Sequence, residues 1–150
     1  AYLYLSMSAF CEKESMRGFA NWLKVQYEEE VMHYMKLYDF ILKIDGEIKL
    51  EVINEPKSHW DSFEELFTDV YNHEKGITKS IYNVVSCAKK FSNYTVENFM
   101  QWFVSEQLEE ESSVKEVLDD IKVSKGNEHM LLMLDRELKN RVLVPLDNNN

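Results

Sequence analysis

Apolar residues recur along most of this chain at alternating spacings of three and four, as they do on the buried face of an amphipathic helix. The pattern predicts five helices, over about residues 1–14, 16–44, 62–90, 96–123 and 128–141. Ser15 is a candidate cap for the second helix, and Ser62 with Glu65 has the spacing of a capping box at the third. The segments "SNYT" and "SKGN" separate the later helices.

The longest connection, between the second and third helices, determines the predicted topology. Pro56 and the alternation of Ile48, Leu50 and Val52 predict an extended segment there. An extended segment of about 15 residues reaches about 50 Å, whereas each flanking helix of about 27 residues is about 40 Å long. The connection can therefore leave these two helices parallel. The sequence predicts an all-α fold in one domain over residues 1–150, a four-helix bundle with one long crossover and a short fifth helix.

Three of the predicted helices carry polar residues in the middle of their apolar seams. The seams comprise Phe19, Leu23, Gln26, Glu30, Tyr34, Leu37 and Ile41 in the second helix, Phe63, Phe67, Val70, Glu74, Ile77, Ile81, Val84 and Ala88 in the third, and Phe99, Phe103, Glu106, Glu110, Val114, Val117 and Ile121 in the fourth. His33 lies on the same side of its helix as Glu30, since three residues separate them, and Gln107 adjoins the fourth-helix seam.

Carboxylates on a buried face need a compensating charge. An unpaired buried carboxylate costs several kcal/mol or takes up a proton, and several together repel one another. No lysine or arginine occupies the middle of these seams. Carboxylate and imidazole ligands suit iron, manganese or zinc, so the pattern predicts a multivalent cation site. A single such glutamate would more simply be a misassigned surface residue, but three helices share the feature. Glu29 and Glu109 border the seams and are either ligands or solvated residues.

Charge and composition narrow the class of protein. The chain has 17 basic and 27 acidic residues, for a formal net charge of −10. This charge argues against nucleic acid or an anionic membrane as a partner and favours cations. No apolar run approaches the length of a membrane span. Cys11 and Cys87 lack metal-ligand spacing, so we expect two small buried thiols in a reducing, cytoplasmic compartment.

Four segments carry a family resemblance, "YLSMSAFC", "EEEVMHYMKLYDFI", "YNHEKGIT" and "QWFVSEQLEEE". Together they resemble the bacterial-type non-haem ferritins over nearly the whole chain. The resemblance implies a ferroxidase centre in which Glu30 bridges two irons. His33 would complete the shell of the first iron, with Gln107 close by, and Glu74 and Glu110 would hold the second iron.

Further roles follow from the same resemblance. Glu29, Glu106 and Glu109 match an adjoining third iron site, and Tyr4 matches a catalytic tyrosine that can donate an electron. The implied function is iron storage in a hollow homo-oligomeric shell of 24 subunits, which oxidises Fe²⁺ with O₂ or peroxide. The alternatives are a non-catalytic iron-binding cage subunit and a di-iron oxygenase or peroxidase.

Two departures separate the sequence from bacterioferritins. Val31 stands where a bacterioferritin has its haem-ligating methionine, so no haem is expected, and no second Glu-x-x-His motif begins at Glu110. A third departure concerns the family's first-helix glutamate ligand, seven residues before Tyr4. The sequence begins three residues before Tyr4, inside a predicted helix. We therefore expect a truncated N-terminus, and impaired ferroxidase activity in the chain as given.

Overall fold

A computed structural model describes residues 1–145, which form five helices and no strand. The helices are α1 (Tyr2–Lys13), α2 (Arg17–Lys43), α3 (Phe63–Lys90), α4 (Tyr94–Ser124) and α5 (Glu128–Leu138). Residues 146–150, which the predicted domain included, lie outside the described residues. Among residues 1–145, no helix is long and apolar enough to cross a membrane.

Side-chain hydrogen bonds cap the N-termini of α3 and α4. At α3, Ser62 Oγ accepts a hydrogen bond from Glu65 N (3.1 Å), and the Glu65 carboxylate accepts one from Asp61 N (2.7 Å). Helix α4 begins two residues earlier than predicted, because Asn93 Oδ1 accepts a hydrogen bond from Val96 N (3.2 Å) and caps that turn.

Residues 1–59 and the described residues from Glu128 onwards form one compact unit, in which α1 and α5 both pack against α2. The expected Ser15 cap is wrong, since the N-cap of α2 is Met16 and it makes no side-chain cap. Instead, Asp135 Oδ1 accepts hydrogen bonds from the backbone N–H groups of Gly18 (2.7 Å) and Phe19 (3.0 Å). A Cβ atom at Gly18 would lie 1.5 Å from the carbonyl oxygen of Asp135, so this contact requires glycine.

Residues 60–127 form the second compact unit, in which α3 packs against α4. Leu66, Phe67, Val70 and Val114 are fully buried. The buried Trp60 donates a hydrogen bond through Nε1 to Asp69 Oδ2 (2.9 Å).

Three expectations of burial were wrong. Tyr34 is 52% exposed, because the buried position that follows Glu30 on α2 is His33, three residues on rather than four. Val84 on α3 is 43% exposed, although Ile81 before it and Ala88 after it on the same seam are buried. Cys11 is buried as expected, but Cys87 is exposed because it lies one position off the seam residue Ala88, and both are free thiols.

Candidate metal centre

The first compact unit contributes an adjacent carboxylate and imidazole on α2. Glu30 Oε1 lies 3.6 Å from His33 Nδ1, and the two side chains are 19% and 10% exposed, respectively. A ligand atom lies about 2.1 Å from its metal ion, so two ligands of one ion are at most about 4.2 Å apart. The distance between Glu30 Oε1 and His33 Nδ1 is short enough for both atoms to bind the same ion. The i,i+3 spacing on a continuous helix therefore places two ligands of different chemistry side by side.

The second compact unit contributes buried carboxylates on α3 and α4. Glu74 is fully buried, and Glu110 is 6% exposed. Gln107 Nε2 donates hydrogen bonds to Glu74 Oε2 (2.7 Å) and to the backbone oxygen of Glu74 (3.1 Å). The first of these bonds holds the Glu74 carboxylate in one orientation. Gln107, which the sequence placed near the first iron, is thus a hydrogen-bond donor to Glu74.

The remaining acidic candidates have more varied surroundings. Glu106 is half-buried and Glu109 is exposed on α4. The carboxylate that follows Glu110, that of Glu111, accepts a hydrogen bond from Thr78 Oγ1 (2.5 Å), which ties it to α3. Among the acidic residues at this level of α4, Glu110 is the buried one.

Tyr4 and Glu29 belong to the first compact unit. The Tyr4 ring on α1 is fully buried. Glu29 Oε2 accepts a charge-assisted hydrogen bond from Arg141 Nη2 (2.5 Å), a residue that the sequence did not single out. The two residues are 112 positions apart, so no periodic signal connects them.

Buried carboxylates and a Glu-x-x-His pair on an all-α chain are typical of helical metal-binding proteins. Comparison with known proteins gives the family, since the family model of the ferritin-like domain matches residues 1–124. The bacterial non-heme ferritin of Campylobacter jejuni is 35% identical over 143 residues, which cover 95% of this chain and 86% of that protein. The bacterial non-heme ferritin of an Escherichia coli O6:H1 strain is 32% identical, over 91% of this chain and 82% of its own length.

Comparison with solved structures gives the same family. An open-pore ferritin from Archaeoglobus fulgidus superimposes with a TM-score of 0.93 at 40% identity, over 94% of this chain and 87% of that chain. The chain therefore belongs to the ferritins, the iron-storage proteins built as four-helix bundles with a short fifth helix. The predicted fold class and the family resemblance are both confirmed.

Proposed function

We propose that this ferritin binds Fe²⁺ at its buried carboxylates, oxidises it with O₂ or peroxide, and stores Fe³⁺ as mineral within a 24-subunit shell. The observation that carries the proposal is the complete burial of Glu74, with Gln107 hydrogen-bonded to it and Glu110 also buried on α4. A ferritin chain that buries these carboxylates without a basic residue on the same seams is suited to a cationic substrate.

The proposed ligands divide by role. The carboxylates of Glu30 and Glu110 and the imidazole of His33 are groups that can each supply one ligand atom to a metal ion. We assign Glu30 as the bridging ligand between two irons, His33 to the first iron, and Glu74 with Glu110 to the second iron. Glu29, Glu106 and Glu109 are assigned to a third iron site by family resemblance, and Tyr4 is the proposed electron donor.

The chemistry follows from these ligands. Hard carboxylate oxygens stabilise Fe³⁺ relative to Fe²⁺ and so favour oxidation. Two Fe²⁺ ions that lose one electron each supply the electron pair that, with two protons, reduces O₂ to hydrogen peroxide. The same pair with two protons reduces hydrogen peroxide to two waters. Binding two irons together makes either two-electron step accessible, and the buried Tyr4 phenol is a source of one further electron.

The alternative function is a cage subunit that binds iron without oxidising it. Iron addition in an oxygen electrode separates the two functions. A ferroxidase consumes O₂ on addition of Fe²⁺ faster than buffer does, whereas a non-catalytic subunit leaves the uptake rate at that of buffer. Uptake at the buffer rate would therefore overturn the catalytic part of the proposal.

The rate of Fe²⁺ oxidation should also depend on the family's first-helix glutamate ligand, which lies seven residues before Tyr4. A polypeptide that begins at Ala1 has no residue seven positions before Tyr4. Because one carboxylate fewer weakens binding of a hard cation, we expect slow oxidation by that polypeptide. An engineered N-terminal extension with glutamate at that position is expected to accelerate it, and equal rates would contradict this assignment.

We also propose one ferritin-like domain over residues 1–150 and a cytoplasmic location. The family model extends over residues 1–124 and so includes parts of both compact units. The two free thiols are consistent with a reducing compartment.

A further inference from the structure

The C-terminal half of α5 and the chain that follows it are hydrogen-bonded to α2. Asn21 Nδ2 donates hydrogen bonds to the backbone oxygens of Leu138 (3.4 Å), Lys139 (3.3 Å) and Arg141 (3.0 Å). Asp135 accepts hydrogen bonds from the first turn of α2, as described above. These contacts fix the backbone of Arg141 beside α2.

The guanidinium group of Arg141 makes one contact through its planar face and another through its N–H edge. Its guanidinium carbon lies 4.2 Å from the centre of the Trp22 ring, within the range of a cation–π contact. Its Nη2 donates to Glu29 Oε2 (2.5 Å), and the side chains of Arg141 and Glu29 are only 20% and 17% exposed. Trp22 and Glu29 are seven residues apart, two helical turns, so one planar cation spans both.

This arrangement bears on the role of Glu29. The guanidinium neutralises its carboxylate and occupies one of its oxygens. A metal cation bound by the same carboxylate would lie beside a fixed positive charge, which it would repel. Binding of a metal cation and pairing with Arg141 therefore compete for Glu29. Because such coupling is reciprocal, a bound cation also loosens the contact between Arg141 and Glu29.

We propose that Arg141 is a positioning residue that withholds Glu29 from metal binding, so that the third cation site opens only when the guanidinium leaves. This inference rests on the proposed function for the assignment of Glu29 as a third-site ligand. It extends that function by making occupancy of the third site depend on the segment after α5.

The test is calorimetric titration of the whole protein with Zn²⁺, which does not change its oxidation state. Arg141→Gln removes the competing charge, so it is expected to bind one Zn²⁺ more per chain than the wild type, or to bind at Glu29 on the order of tenfold more tightly. The matched control is Arg136→Gln, which removes the same charge from an exposed position on α5 and should titrate as the wild type does. The double variant Glu29→Gln/Arg141→Gln should also return to the wild-type titration.

The outcomes are distinguishable. A merely structural role for Arg141 would lower the Zn²⁺ count, not raise it. Wild-type titration by a folded Arg141→Gln variant would overturn the inference. If that variant does not fold, Arg141→Met decides, since methionine removes the charge but keeps an unbranched side chain against the Trp22 ring, and a titration identical to the wild type overturns the inference. Failure of the proposed function appears differently, as a wild-type chain that binds no Zn²⁺.

Discussion

At the scale of single residues, Cys11 shows how burial controls chemistry in this fold. Its side chain is fully buried on α1. Burial, with the nearby charges of Asp135, Glu12 and Glu14, raises the pKa of the Cys11 thiol from 9.0 to about 12. The folded state therefore favours the neutral thiol, whereas the unfolded chain ionises near the ordinary value.

The raised pKa predicts a specific loss of stability in alkaline solution. The contribution of Cys11 is fully present below pH 9.0 and is lost as the pH rises towards about 12. At pH 10 the free energy of unfolding should fall by about 1 kcal/mol more in the wild type than in Cys11→Ala. Urea unfolding of both proteins at pH 8 and pH 10 measures the difference. Equal losses would contradict the assigned pKa direction.

At the scale of helices, signals close in sequence were predictable and distant contacts were not. The Ser62–Glu65 cap of α3 lies within one turn and was predicted, and the apolar period indicated the buried positions of Glu74 and Glu110. The caps that Asp135 supplies to α2 come from 117 and 116 residues away, and Arg141 reaches Glu29 across 112. Periodicity carries no information about such pairs, because only the folded chain brings them together.

Two helical glycines differ in the space around them, so their replacement by alanine should change the free energy of unfolding in opposite directions. Gly18→Ala places a Cβ atom against the Asp135 backbone, so it should lower the free energy of unfolding by about 1–3 kcal/mol. Gly76 on α3 has nothing within 4 Å of an added Cβ. Gly76→Ala is therefore expected to stabilise the protein by up to about 1 kcal/mol through its higher helix propensity. Thermal unfolding of the two variants compares them directly, and a neutral Gly18→Ala would contradict the described packing.

At the scale of the whole molecule, exposed apolar side chains indicate association between copies of the chain. In the first compact unit Tyr34, Tyr38 and Leu42 of α2 are 52%, 37% and 48% exposed, and Leu50 and Val52 of the connection are 86% and 90% exposed. Exposed apolar side chains that group together are typical of surfaces that contact other proteins. Neighbouring copies in a shell would cover these residues.

Light scattering at near-neutral pH tests the assembly. We expect a particle of 24 chains, because the family resemblance implies that shell and the exposed apolar residues need partners. A stable monomer or a 12-subunit particle would contradict the proposed storage shell. In the expected 24-chain particle, the net charge of −10 per chain would attract Fe²⁺ strongly, and this attraction would weaken as salt is added.

The central claim is that the buried carboxylates bind iron for oxidation, and stopped-flow measurement of Fe²⁺ oxidation tests it most directly. Glu74→Gln and Glu110→Gln keep the side-chain size and remove the charge, and Glu116→Gln does the same at an exposed position of α4 as the control. We expect each buried-site variant to oxidise Fe²⁺ on the order of tenfold or more slowly, with an apoprotein at least as stable as the wild type. The control should match the wild type. Wild-type oxidation rates in both buried-site variants would contradict the claim.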